Sequence, residues 1–204
     1  MKNFPLVTAV AVIGDAAVRP LRARTQRAVA VAAVTSRIEN GTIAFALSSH
    51  VVRSAAALQH WLDDAIADDP VLVGHRLLRI SRLLCASGFD RNLAHSFQPE
   101  GRHDIADLHR NRLTPLVVSA LYADVLAVDE QALTWSPRGR RDGHTLAMLA
   151  VINALATWVI FFRRASAGPE NAVTREKVLT RLVEDLRRGG APGALVGSVA
   201  PSIH

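Results

Sequence analysis

A short basic segment with one aromatic residue is the part of the chain whose residue types most directly suggest a chemistry. Trp135 is followed within a few positions by Arg138, Arg140 and Arg141. Guanidinium groups bind phosphate bidentately and an indole ring stacks on nucleobases, so these residues are candidate contacts for nucleic acid. Because the segment is also rich in Pro and Gly, a solvated basic loop is the alternative interpretation.

The histidines and the cysteine form no familiar catalytic or zinc-binding motif. None of the 8 histidines belongs to a helical metal-binding pair with a Glu between its members. The sequence also contains no Gly-rich phosphate loop, dinucleotide-binding fingerprint or nucleophile-elbow serine. Cys85 is the single cysteine, which excludes an internal disulfide, and its position on an apolar helical face predicts a core residue. His103 and His109 are expected to face solvent.

Composition indicates one globular domain with an excess of positive charge. The chain has 204 residues and a formal net charge of +6, and Lys2 and Lys177 are its only lysines. Arginine-rich surfaces favour polyanionic partners, although a G+C-rich genome produces the same bias. We expect a single domain over residues 1–190, a flexible tail over 191–204, and a reducing cytoplasmic location.

Two apolar stretches raise the question of a membrane or of secretion. Residues 1–15 superficially resemble a signal peptide, but an early Pro and β-branched residues suit a buried first strand better. Leu146–Phe162 carries no charge and is slightly short for a bilayer span. We therefore predict a buried helix of a soluble core and no membrane partner. A small membrane-associated protein that uses Leu146–Phe162 is the alternative.

Hydrophobic periodicity predicts strands followed by helices. The predicted strands are Leu6–Ile13, Ala28–Thr35, Thr42–Leu47 and Val71–Val73, with a possible short edge element over Asp104–Leu108. Asn40-Gly41 predicts a tight hairpin, and Ser48-Ser49 predicts the N-cap of a helix that ends near Ala67. Further helices are predicted over Leu77–Ala86, Leu116–Ala127, His144–Arg164 and Thr174–Arg188, with loops over 90–102 and 135–143. This order indicates an α/β sandwich with a mixed sheet.

Three segments carry a resemblance to a known family through their order and spacing. They are Val71–His75, His103–Leu108 and Ala156–Arg163. Together they resemble the later motifs of the DEDD-type 3′–5′ exonucleases, nearest the predicted exonucleases related to the proofreading domain of family-B DNA polymerases. The resemblance spans roughly Leu6 to Arg188. It implies a ribonuclease-H-like three-layer sandwich with a central mixed β-sheet flanked by helices.

The chemistry that this resemblance implies is two-metal phosphodiester hydrolysis. Two Mg²⁺ or Mn²⁺ ions need oxygen ligands, which the family supplies as four carboxylates. Asp15 is the only acidic residue near the end of the first strand, and Ala17 stands where the partner Glu is expected. A turn Asp without a metal role is the alternative for Asp15. The third ligand position, which belongs to the family's second motif, falls near Arg79.

The last ligand position is also degenerate, because Asn153 stands at the metal-binding Asp of the last helix. Asp104 matches the family's Asp-Leu-x-Asp segment, which is usually structural or peripheral to the metals. The degenerate catalytic positions are thus Asp15, Asp104 and Asn153, with Asp15 a metal ligand only if the protein is active. The predicted nucleic-acid contacts are His75, Arg76, Arg79, Trp135, Arg138, Arg140 and Arg141.

We therefore expect an exonuclease homologue with impaired or absent catalysis. It would serve as a module that binds nucleic acid, foremost single-stranded DNA, or another protein, in DNA replication or repair. No cofactor is expected for the degenerate site. The alternative is an active Mg²⁺- or Mn²⁺-dependent 3′–5′ DNA exonuclease whose site is completed by Asp104, Asp107 or Asp124.

Overall fold

The computed structural model contains a β-sheet with helices on both faces, built from the residues it describes. These are residues 6–14, 27–39, 42–66, 71–89, 102–105, 143–166, 168, 170 and 172–188. The strands are Leu6–Gly14 (β1), Ala28–Glu39 (β2), Thr42–Val51 (β3), Val71–Gly74 (β4) and Arg102–Asp104 (β5). The helices in this part of the chain are Ala55–Ala65 (α1), Leu77–Ala86 (α2), Gly143–Ala165 (α3) and Ala172–Arg188 (α4).

The sheet is mixed, as the order of elements predicts. Its strand order is β3-β2-β1-β4-β5. β1 runs antiparallel to β2 and parallel to β4, and β5 runs parallel to β4. Glu39 pairs with Thr42, so only Asn40 and Gly41 connect β2 to β3. This register confirms the predicted hairpin.

Alternation along β1 directs its side chains to two separate cores. Val7, Ala9 and Ala11 belong to the core that α3 and α4 form on one face of the sheet. Val10 belongs to the core under α1 and α2 on the other face. A strand with apolar residues on both faces must be covered on both sides, which is why β1 reads as a continuous apolar run. The α/β class predicted from the sequence is confirmed.

α3 is the apolar helix that raised the question of a membrane. Leu146–Ala165 is long and apolar enough to cross a bilayer, with a mean hydropathy of 1.9, and 72% of its apolar window is buried within the structure. It packs on β1, β2 and β3. The predicted buried helix is confirmed.

The predicted start of the first helix is wrong. Ser48 and Ser49 lie inside β3, and α1 begins at Ala55. Ser54 is its N-cap, with an Oγ that accepts a hydrogen bond from the amide of Ala57 at 3.2 Å. Serine favours an N-cap locally, but here the long β2 supplies ladder partners for β3 as far as Val51, and this pairing overrides the local preference.

Predictions at the other boundaries have mixed outcomes. α2 begins and ends at the predicted residues. Four apolar residues of α4 are buried, as its helical periodicity predicts: Leu179, Leu182, Val183 and Leu186. Arg102 was predicted to end a loop, but it begins β5 and pairs with Leu72. The predicted helix Leu116–Ala127, the tail 191–204 and most of the loops 90–102 and 135–143 lie outside the described residues.

Candidate functional site

Several of the predicted site residues meet at one cavity. It has a volume of about 250 Å³ and lies between the end of β1, the start of α2 and the middle of α3. It is lined by residues 10–14 of β1 and by His75, Arg76, Arg79, Ile80, Leu83, Asn153 and Thr157. We call this cavity the cleft. Segments far apart in the sequence therefore contribute to a single site.

The parallel pairing of β1 and β4 explains why these segments meet. Val10 pairs with Gly74, and because the two strands are parallel their carboxyl ends face the same edge of the sheet, where ligands of α/β sheets commonly bind. β1 continues to Gly14, and a Cβ on Gly14 would lie 3.1 Å from the Leu83 side chain. The small residue at the end of β1 thus allows α2 to approach closely.

The turn from β4 into α2 has little room. A Cβ on Gly74 would collide with the Leu77 side chain, so only glycine fits there without a shift. Arg76, the N-cap residue of α2, adopts the left-handed conformation with φ 58° and ψ 57°. That conformation costs a non-glycine residue roughly 1–2 kcal/mol. Its presence beside the cleft therefore requires compensation from neighbouring contacts.

Asp104 supplies that compensation. Its Oδ1 accepts a hydrogen bond from the amide of Arg76 at 2.8 Å, and its Oδ2 accepts one from the amide of Leu77 at 2.7 Å. The carboxylate from β5 thereby caps α2 in place of the N-cap side chain, which makes no capping bond. Asp104 adjoins the turn but is not among the residues that line the cleft.

His75 is half-buried in the wall of the cleft. Burial lowers the pKa of its imidazole, and the positive charge of Arg76 lowers it further. Arg79 acts in the same direction, whereas Asp104 opposes the shift. His75 is therefore neutral at pH 7, and the positive charge that lines this part of the cleft comes from the two guanidinium groups.

Packing of the neighbouring Trp158 fixes the face of α3 that meets the cleft. Its indole Nε1 donates a hydrogen bond to Ser36 Oγ at 3.0 Å, and its ring stacks on Phe162 with centroids 4.9 Å apart. Asn153 and Thr157 are four positions apart, so they lie on one side of the helix. Thr157 was not predicted as a site residue. Its spacing of four positions from Asn153 was the signal that would have placed it in the same wall of the cleft.

The described residues of the cleft do not by themselves fit a pair of divalent cations. None of its described lining residues is acidic, and two of them are arginines. The described part of the chain also holds no group of three or more His, Cys, Asp or Glu residues placed to bind a metal ion. Mg²⁺ and Mn²⁺ require oxygen ligands that are largely anionic. The arrangement suits an anion better than a metal.

Other predicted residues lie elsewhere or outside the described residues. Asp15 follows Gly14 in the sequence but is not described, and the same holds for Asp107, Asp124, Trp135, Arg138, Arg140 and Arg141. The prediction that His103 faces solvent is wrong: it is half-buried in β5, with its ring centroid 5.3 Å from that of Phe161. Cys85 is half-buried rather than fully within the core.

A larger cavity, of about 550 Å³, lies between α1 and the sheet. Thr8, Thr35, Arg37, Trp61 and Asp64 are among its lining residues, and none of them was predicted as a site residue. We place the candidate site at the smaller cleft because there the independent sequence predictions meet.

The chain matches no protein-family model, no curated protein and no solved structure.

Proposed function

We propose that this chain is a ribonuclease-H-like domain of exonuclease ancestry that binds single-stranded DNA and has lost most of its catalytic metal ligands. The binding site in this proposal is the cleft. The observation that carries it is the meeting of the end of β1, Arg79 and Asn153 at one cavity. A role in DNA replication or repair, a cytoplasmic location and a protein partner belong to the same proposal.

The meeting of these residues supports the ancestry because the resemblance requires it. The resemblance implies that Asp15, Arg79, Asp104 and Asn153 converge on one cleft, and an accidental match would leave them scattered over the fold. Arg79 and Asn153, more than sixty positions apart, line the same cavity together with Gly14, which precedes the undescribed Asp15, whereas Asp104 lies beside the cavity. A mixed sheet with helices on both faces agrees with the implied three-layer sandwich.

The charges in the cleft support binding without hydrolysis. Arg79 takes the position near which the family has its third carboxylate, and Asn153 takes that of the last one. A guanidinium group repels a metal ion, and a neutral amide is a weaker ligand for it than a carboxylate. Arginine nevertheless matches phosphate oxygens in charge and geometry. The substitutions therefore favour contact with a nucleic-acid backbone over metal-assisted cleavage.

Titration of a fluorescent single-stranded oligonucleotide at two salt concentrations tests the binding. We expect the affinity to fall about tenfold between ~50 and ~200 mM salt, as roughly two or three phosphate contacts would give. Absence of binding at the lower salt concentration, or an affinity that does not change with salt, would end the proposal.

A nuclease assay with the same oligonucleotide tests the loss of catalysis. We expect no release of nucleotides above background with either Mg²⁺ or Mn²⁺. Metal-dependent release that Asp15→Ala abolishes would establish the alternative, an active 3′–5′ exonuclease. The titration tests DNA binding and the nuclease assay tests the loss of catalysis, so either part of the proposal can fail without the other.

A further inference from the structure

The chemistry of the cleft walls narrows the ligand group that fits the site. Arg76 and Arg79 provide two permanent positive charges, since guanidinium does not lose its proton in proteins. Asn153 and Thr157 add a side-chain amide and a hydroxyl from α3. No described residue of the lining contributes a negative charge. The site is thus rich in donors and cationic.

The helix terminus beside the cleft does not supply the binding groups. The amides of Arg76 and Leu77 already donate to the two carboxylate oxygens of Asp104. An anion in the cleft would be held by side chains, chiefly the two guanidinium groups. The cleft therefore differs from the common anion sites at helix N-termini, in which backbone amides bind the anion.

The volume of the cleft and its charge favour a terminal phosphate over a phosphodiester in the middle of a strand. The cavity measures about 250 Å³, below the roughly 300–1,000 Å³ of pockets that enclose drug-sized ligands. This is room for a phosphate and part of its sugar rather than for several linked nucleotides. A phosphate monoester carries about −1.5 to −2 charges at pH 7, which matches two arginines, whereas an internal diester carries a single charge.

We infer that the cleft binds a phosphate monoester directly through Arg76 and Arg79, without a bridging divalent metal, either on a free nucleotide or at the end of a single strand. The inference rests on the proposed function for the identity of the site. The inference adds two points to the proposed function. It names the bound group as a phosphate monoester, and it assigns to Arg76 and Arg79 the phosphate contacts that metal ions make in the family that the chain resembles.

The test compares ligands that differ only in the terminal phosphate. Affinities are measured in EDTA for a short oligothymidylate with a 5′-phosphate, a 3′-phosphate or two hydroxyl ends, and for thymidine 5′-monophosphate against thymidine. We expect at least one phosphorylated ligand to bind about tenfold or more tightly than its hydroxyl counterpart, since the charge-assisted hydrogen bonds to the phosphate are missing from that counterpart. The strand and the mononucleotide arms distinguish the two sources of the phosphate.

Two variants locate the effect. Arg79 is exposed, so Arg79→Gln should fold normally and should remove most of the preference for the phosphorylated ligand. Arg187→Gln, an equally conservative change at an exposed position of α4, should retain it. A preference that both variants keep would place the phosphate elsewhere and overturn the inference.

Failure of the inference and failure of the proposed function are distinguishable. Equal affinity for phosphorylated and hydroxyl-ended oligonucleotides would overturn the inference and leave nucleic-acid binding standing. A phosphate preference seen only when Mg²⁺ is added would also overturn it. Metal-free binding of the mononucleotide without any binding of oligonucleotides would uphold the inference and end the proposal that the ligand is single-stranded DNA.

Discussion

At the scale of single residues, Asp104 has a structural function that its type alone does not reveal. Both of its carboxylate oxygens accept amide hydrogens at the start of α2, where Arg76 is held in the left-handed conformation. A carboxylate in this position satisfies two backbone donors and is attracted to the positive end of the helix. The residue that best matches the exonuclease motif therefore holds the turn that carries His75 and Arg76.

Removal of this cap should destabilise the fold. We expect Asp104→Ala to lower the free energy of unfolding by about 1–2 kcal/mol, since an N-cap and its charge are lost together. Asp63→Ala, at an exposed position of α1, is the control and should change it by less than about 0.5 kcal/mol. Urea denaturation followed by circular dichroism measures both. Equal stability of the two variants would contradict the capping function.

His75 should make stability depend on pH. Burial and Arg76 lower its pKa in the folded state, so between that value and the unfolded value near 6.5 the unfolded chain binds more protons. Its contribution to stability is complete above pH 6.5 and declines as the pH falls through this window. Unfolding curves between about pH 5 and 7.5 should thus show a steeper loss for the wild type than for His75→Gln. Parallel pH profiles would contradict the shift.

At the scale of elements, the position of Asn153 and Thr157 depends on the rotation of α3 against the sheet. Trp158 determines that rotation: it is 2% exposed, and Phe45 meets it edge-on with centroids 4.9 Å apart. Its indole N–H bonds to Ser36 on β2, so one polar contact within an apolar core sets the register of the helix. Buried polar pairs of this kind favour one arrangement over others of similar apolar burial.

Loss of the hydroxyl that receives this bond should be costly. Ser36→Ala leaves a buried indole N–H without its partner, and we expect unfolding free energy to fall by about 1–3 kcal/mol. Ser49→Ala on β3 is the matched control, because Ser49 is exposed and should tolerate the change within about 0.5 kcal/mol. Tryptophan fluorescence during denaturation reports both. A Ser36 variant as stable as the Ser49 variant would show that the bond does not hold α3.

The same elements show what the sequence could predict. Local signals in the sequence predict three of these elements. An apolar run predicts β1, a short apolar run before a Gly predicts β4, and a helical repeat predicts α2. The cap from Asp104 could not be predicted, because its partners lie 27 and 28 positions away. The left-handed backbone of Arg76 depends on that cap, so it could not be predicted either. Ser48-Ser49 was misread because strand pairing with β2 overrides a local capping signal.

At the scale of the whole molecule, the candidate site was predicted only in part. Alignment of the sequence with the exonuclease motifs predicted that His75, Arg79 and Asn153 belong to one site. These three residues line the cleft. The basic segment from Trp135 to Arg141 stays a prediction, since it lies outside the described residues.

The net charge of +6 would attract nucleic acid wherever the arginines lie. Only a comparison at constant net charge separates this diffuse attraction from a contact in the cleft. Arg79→Glu and Arg187→Glu each lower the formal charge by two, from +6 to +4. Arg79 lines the cleft, whereas Arg187 is exposed on α4 and is not among the lining residues.

The most direct test is the dissociation constant of single-stranded DNA that carries the preferred terminal phosphate, measured in EDTA for the wild type and for these two variants. We expect Arg79→Glu to weaken binding about tenfold or more and Arg187→Glu to weaken it by less than about threefold. If both reversals weaken binding equally, or if the wild type binds only when a divalent metal is added, the cleft is not the metal-free phosphate site described above.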